Sequence, residues 1–181
     1  MAGKTSKARQ GMDKRASGAI GENIALNELL WRGWAPVNAN FGLRNTPNID
    51  IIAAKGKKHV SLQIKASTDT ANDIIEVGRG NKKKFFNSKD GPLAQFVVFL
   101  KIWSLKDYEC YVVPVDIAEK EIARCYRAWY KTPKRSGEQR SENFPASLYL
   151  ANNKNRPKET GFRDKWKKYK DAWDLLDIEN L

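Results

Sequence analysis

Histidine and cysteine are nearly absent: the 181-residue chain has one histidine, His59, and two cysteines, Cys110 and Cys125. One imidazole and two thiols in no ligand spacing exclude a zinc site of the usual nitrogen and sulfur kind. They also exclude a disulfide framework, and fit the reduced thiols of a cytoplasmic protein. Long apolar runs are missing, and no stretch approaches the ~20 residues that a helix needs to cross a bilayer. The N-terminal "MAGKTSKARQGMDKRASG" lacks the apolar region of a secretory signal. Neither membrane association nor a small-molecule cofactor is expected.

Acids are scarce, with 21 Asp and Glu against 33 Lys and Arg, a formal charge of +12. Such a surplus suits a polyanionic partner, nucleic acid before an anionic membrane. The chain is 41% hydrophobic and 10% aromatic, enough for a buried core rather than a disordered polymer. The expected organisation is a mobile basic arm over residues 1–16 and a single domain over 17–181. That domain divides into a core to about residue 130 and an extension over 131–181.

Periodicity supplies the elements. "SGAIGENIALNELLWRGW" predicts a helix from about Ala19 to Trp31, ended with the help of Gly33. At 100° per residue, Ala19, Ala25, Leu26, Leu29 and Leu30 form an apolar stripe with Glu22 in its middle, while Ile20, Ile24 and Trp31 fall opposite. "APVNAN" reads as a short strand. "NIDIIAA" and "HVSLQIKAS" read as two strands joined by a turn at "KGKK". Residues 68–94 are mixed, with a short helix over about 82–87. The run Phe96–Leu100 in "QFVVFLKIW" suits a strand buried on both faces, and "ECYVVPV" a further strand that Pro114 ends. Asp116 and Glu119 have the form of a capping box for a helix over 117–130. Residues 131–160 read as a long polar loop. Phe162, Trp166, Tyr169, Trp173 and Leu176 step by 4, 3, 4 and 3 residues, the pattern of one closing helix. The Trp residues at 31, 103, 129, 166 and 173 read as packing residues. Together these elements make an α/β domain, a mixed sheet with helices on its faces.

The hairpin "NIDIIAAKGKKHVSLQIK" carries polar side chains on its strands. Alternation puts Val60, Leu62, Ile64 and Ala66 on one face of the second strand and His59, Ser61, Gln63, Lys65 and Ser67 on the other. Gln63 and Lys65 therefore point the same way, about 7 Å apart. Asp50 lies on the neighbouring strand, and a suitable register brings its carboxylate beside Gln63. Glu22, a carboxylate amid an apolar stripe, needs a partner: a shared cation or Lys65.

A helix bearing Glu22, a strand bearing Asp50 and then "SLQIK" resemble the PD-(D/E)xK nuclease superfamily, restriction-endonuclease-like enzymes, and most closely archaeal Holliday-junction resolvases. The likeness covers residues 18–67 and, more loosely, the elements to about 130. It implies a Mg²⁺-dependent DNA endonuclease, with Mn²⁺ able to substitute. Asp50, Gln63, the backbone carbonyl of Ile64 and Glu22 would hold the metal, and Lys65 would orient or deprotonate the attacking water. Two departures stand out. Pro47 precedes Asp50 by three residues rather than one, and Gln63 replaces the usual acid, which removes one negative charge from the site. A catalytically silent nucleic-acid-binding module on the same fold is the alternative. Arg44, Ser67, Arg79, Lys82, Lys83, Lys84, Lys134 and Arg135 are candidate DNA contacts, joined by Lys131 and Arg140 in the long loop. Two nicks on duplex or branched DNA would call for a homodimer.

Overall fold

The computed structural model describes residues 14–39, 48–78, 85–88, 91–92, 94–141, 146–154 and 159–178. In chain order the elements are α1 (Lys14–Trp31), β1 (Ala35–Asn38), β2 (Ile51–Lys55), β3 (Lys58–Ser67), β4 (Ile74–Gly78), β5 (Asn87–Ser88), β6 (Gly91–Pro92), β7 (Phe96–Ser104), β8 (Asp107–Pro114), α2 (Val115–Lys131), β9 (Ala146–Tyr149) and α3 (Phe162–Lys165). Two short 3₁₀ turns follow at Lys167–Tyr169 and Trp173–Asp177.

Five strands form the central sheet in the order β1-β2-β3-β7-β8. All neighbours are antiparallel except β3 and β7, which run parallel. The expected mixed α/β architecture is therefore present. The β2–β3 hairpin turns on Gly56 and Lys57, with Lys55 opposite Lys58. Gly56 has φ 61°, the positive value that a two-residue hairpin turn requires at its first central residue.

Alternation sorts the sheet's side chains into two cores. Val60, Leu62 and Ile64 of β3 join Val98 and Leu100 of β7 and Val112 of β8 on one face, beneath α1. Val97, Phe99, Tyr111 and Val113 occupy the opposite face with α2, β4 and β9. The run over Phe96–Leu100 is buried throughout, as a central strand covered on both faces must be.

Several expectations are corrected. α1 begins at Lys14, so the last three residues of the expected arm are helical; residues 1–13 lie outside the described residues. Its buried face is Ser17, Gly21, Ile24, Ala25 and Leu29, whereas Ala19, Leu30 and Trp31 are exposed, Trp31 at 88%. The contact is centred on Gly21, which a count of apolar side chains overlooks. Residues 74–78 form a strand rather than a loop, paired with a second unexpected strand, β9, inside the polar stretch after α2. The described part of the expected helix over 82–87 is not helical, and Asn87 opens β5. α2 starts at Val115 with no side-chain cap. Glu119 instead accepts the backbone N–H groups of Phe85 (2.8 Å) and Phe86 (2.7 Å), fastening that loop to the helix.

The closing stripe is buried as its spacing predicts, but it is not one helix. Phe162, Trp166 and Tyr169 enter the α2-side core, and Trp173 and Leu176 the α1-side core. Between them Lys170 bridges to Tyr111 of the edge strand β8, Asp171 donates its N–H to Cys110 O (2.9 Å), and the chain turns at Asp171 with φ 50°. The segment thus passes around the sheet edge and covers both faces.

A Cβ at Gly21 would stand 2.4 Å from Ala66 Cβ. Gly21→Ala gains up to about 1 kcal/mol of helix propensity, but the overlap forces α1 off the sheet and outweighs it. We expect a net loss of about 1–2 kcal/mol in urea unfolding. An unchanged or raised midpoint would mean that α1 stands farther from β3.

Candidate active site

Asp50 is fixed by its backbone before its side chain is considered. Its N–H donates to Leu62 O of β3 (2.9 Å), and its carbonyl accepts the N–H of Ala39 just beyond β1 (2.9 Å). The residue is therefore held from both neighbouring strands. Its carboxylate oxygen Oδ2 accepts the backbone N–H of Ile64 (2.7 Å). A side chain has taken over a ladder bond at the point where β2 begins.

The paired register ends at Ile51 opposite Leu62, and beyond it Asp50 bonds Leu62 and Ile64, the two residues that flank Gln63 on β3. Gln63 is only 5% exposed, unusual for an amide on a strand. Its Nε2 reaches Asn48 Oδ1 at 3.4 Å. Asn48 has φ 60°, the left-handed conformation that asparagine tolerates better than most residues. Gln63 Oε1 is buried and has no hydrogen-bond partner. Among the described residues one other buried side-chain polar atom is in that state, Trp34 Nε1, which is a donor. Gln63 Oε1 is an acceptor, the polarity that a cation requires.

Lys65 lies two residues along β3 on the same side as Gln63. Burial pushes its ammonium below the ordinary lysine value, opposed by the Asp50 charge. Glu22 sits on the flank of α1 next to Gly21. Its Oε2 accepts a hydrogen bond from Asn38 Nδ2 of β1 (2.8 Å). Burial pushes its carboxyl above 4.5, the Asn38 bond opposes that, and the Asp50 charge reinforces it. Lys65 and Glu22 thus each feel the Asp50 charge.

The donor set is all oxygen apart from Lys65: two carboxylates and an amide carbonyl. Hard divalent cations such as Mg²⁺ favour such ligands. No three His, Cys, Asp or Glu side chains converge in a way that could hold a metal among the described residues. Any cation here relies on the amide where a third acid would otherwise serve. Asn38 and Asn48, which orient Glu22 and Gln63, were not picked out from the sequence. The available signal was their type: an asparagine two residues before Asp50, and another closing the strand before the loop.

Of the candidate nucleic-acid contacts, Ser67 is half-buried at the end of β3, and Lys134 and Arg135 are exposed after α2. Arg44, Arg79, Lys82, Lys83 and Lys84 lie outside the described residues. A cavity of about 500 Å³ between α2 and β9, lined in part by Tyr126, Trp129 and Tyr149, contains none of Glu22, Asp50, Gln63 or Lys65.

No family model matches the chain, and no curated protein does. Among solved structures it is similar to a bacterial homing endonuclease, I-Ssp6803I, with a TM-score of 0.51, 17% sequence identity and 92% of each chain covered. The chain therefore has a nuclease-like fold, a mixed sheet flanked by helices. No helix among the described residues is long and apolar enough to cross a membrane.

The raised Glu22 carboxyl carries a sign for stability. A carboxyl that holds its proton more tightly when folded has a neutral-form advantage, complete below the unfolded value and lost as pH rises through the folded one. Without divalent metal, wild-type stability should fall relative to Glu22→Gln as pH rises above 4.5. Parallel urea midpoints over that window would check it; coincident profiles would mean that Glu22 is well solvated.

Proposed function

We propose that the chain is a divalent-metal-dependent DNA endonuclease of the PD-(D/E)xK kind, with Glu22, Asp50, Gln63 and Lys65 as its site. The observation that carries the reading is Gln63 Oε1, buried without a partner between the two β3 residues to which Asp50 is bonded. A buried acceptor left unsatisfied costs about 1–3 kcal/mol, and a bound cation supplies the missing partner. Mg²⁺ or Mn²⁺ would be held by Asp50, Gln63 Oε1 and the backbone carbonyl of Ile64, with Glu22 completing the shell. Bound there, such an ion would supply Lewis-acid chemistry, polarising a phosphoryl oxygen and lowering the pKa of water.

The chain's own residues perform the remaining tasks. Asp50, pinned through N–H, C=O and Oδ2, gives the site a fixed acidic centre. Asn38 and Asn48 orient Glu22 and Gln63 by hydrogen bonds. Lys65 binds the charge developing on the scissile phosphate, a role served by a preformed cation in a partly water-excluded site. Its depressed pKa also lets it give up or take a proton closer to neutrality than an exposed lysine does. DNA as substrate is supported by the net charge of +12 and by the fold shared with a homing endonuclease. Cutting both strands requires two such sites, which a homodimer supplies.

Two measurements test the reading. Mn²⁺ titration should raise the melting temperature of the wild type, by linkage of binding to folding. The rise should be larger in Gln63→Glu and absent in Asp50→Asn. No response of the wild type to millimolar Mg²⁺ or Mn²⁺ would remove the metal from the proposal. With metal present, plasmid nicking should slow by about 10²-fold or more in Asp50→Ala and Lys65→Ala while duplex binding persists. Tight binding by the wild type with no nicking under any divalent ion would favour the silent binding module instead.

A further inference from the structure

We propose that the outward face of α2 is a second duplex-DNA contact, one that grips the sugar–phosphate backbone from an element carrying none of the site residues. The inference rests on DNA being the substrate and adds a surface to that reading. Lys120, Arg124, Arg127 and Lys131 recur at intervals of four, three and four residues. On a helix of 3.6 residues per turn they fall within an arc of about 60° and span about 16 Å. Lys120, Arg127 and Lys131 are exposed. Arg124 is half-buried and held by Glu121 at 2.7 Å. Lys134 and the exposed Arg135 continue the basic surface past the helix, with Lys134 paired to Glu138 at 3.0 Å.

Acids offset the N-terminal half of this stripe: exposed Asp116 stands four residues before Lys120, and Glu121 holds Arg124. The C-terminal half has no such offset. Arg127 and Lys131, four residues apart, have no acid three or four residues away on the helix, a like-charge spacing that destabilises it. The helix dipole favours Lys131 in the last turn but leaves Arg127 beside it uncompensated. The stripe therefore concentrates like charge at its C-terminal end, which an external polyanion relieves.

The character of the remaining faces selects which polyanion. The apolar side of α2, including Ala118, Ile122, Cys125 and Tyr126, is buried in the core. Ile117, 38% exposed, is the one exposed large apolar residue on the helix. A helix that lies in a membrane interface needs its apolar face available for lipid, and α2 has none to offer. Lys and Arg side chains in this exposed row suit phosphate oxygens, contacts that position a duplex without reading its sequence.

The test is the salt dependence of binding to a 30-base-pair duplex, measured by fluorescence anisotropy for wild type and for Lys120→Gln/Arg127→Gln/Lys131→Gln. These side chains are exposed, and an unchanged melting temperature verifies that the variant folds. Three lost phosphate contacts should reduce the slope of log K against log salt by about 2–3. An unchanged slope, with wild type still nicking, overturns the α2 surface and leaves the endonuclease reading intact. A reduced slope in a protein that never nicks supports the surface and removes the catalytic reading. Wild-type protein that does not bind DNA overturns both. Selective loss of binding to phosphatidylserine vesicles, with DNA binding unaltered, overturns the surface in favour of a lipid partner.

Discussion

The double anchoring of Asp50 is the constraint on which the rest of the site depends. Its N–H is committed to β3, its carbonyl is bonded from the end of β1, and its carboxylate caps the Ile64 N–H. A side chain that ends a sheet ladder in this way cannot rotate away without exposing a backbone donor, so its position is set by the sheet rather than by a loop. Gln63 and Lys65 inherit that precision because they belong to the strand to which Asp50 is bonded. β3 can carry them because its other face, Val60, Leu62 and Ile64, is buried against α1. One strand serves as core on one side and as chemistry on the other.

The parallel pairing of β3 with β7 has a structural consequence at the exit from the site. Parallel neighbours need a crossover, and the chain leaves β3 at Ser67 to re-enter the sheet at Phe96. The start of that crossover is fastened by Lys101, 1% exposed on β7, whose ammonium donates to the carbonyls of Asp69 and Asn72. Asp73 is then held by Arg163 (2.9 Å), which also bonds Glu109 of β8 (3.0 Å). The C-terminal segment, which lies outside the likeness drawn from the sequence, thereby steadies the loop just after Lys65. Its passage around β8, with Trp173 in one core and Trp166 in the other, couples the two faces of the sheet.

The hairpin, the central strand and the two long helices were legible because period-two and period-3.6 patterns are strong where one face is buried. β4 and β9 were not. Each has four or five residues, and their pairing joins segments about 70 residues apart, which no local pattern records. The closing stripe was legible as burial but misread as geometry, because a residue that turns at Asp171 preserves the spacing of buried side chains while breaking the helix. α1 was misread by about one residue's rotation, since Gly21 makes its closest approach with no side chain at all. In the site, Glu22, Asp50, Gln63 and Lys65 could be picked out by type and order, while Asn38 and Asn48 act only through a register that the sequence leaves open.

The amide at position 63 follows from the charges around it. Glu22 is already pushed toward its neutral form by burial and by Asp50, so the pocket tolerates its second carboxylate poorly. A third carboxylate at a position only 5% exposed would be desolvated further and would repel both. Glutamine offers the same oxygen without the charge. It leaves Gln63 Oε1 without a partner, a smaller penalty than an uncompensated buried anion. An amide dipole attracts a divalent ion less than a carboxylate does, so glutamine would exchange ion affinity for stability of the fold. Lys65 meets the same desolvation: burial depresses its ammonium, and the Asp50 charge opposes that.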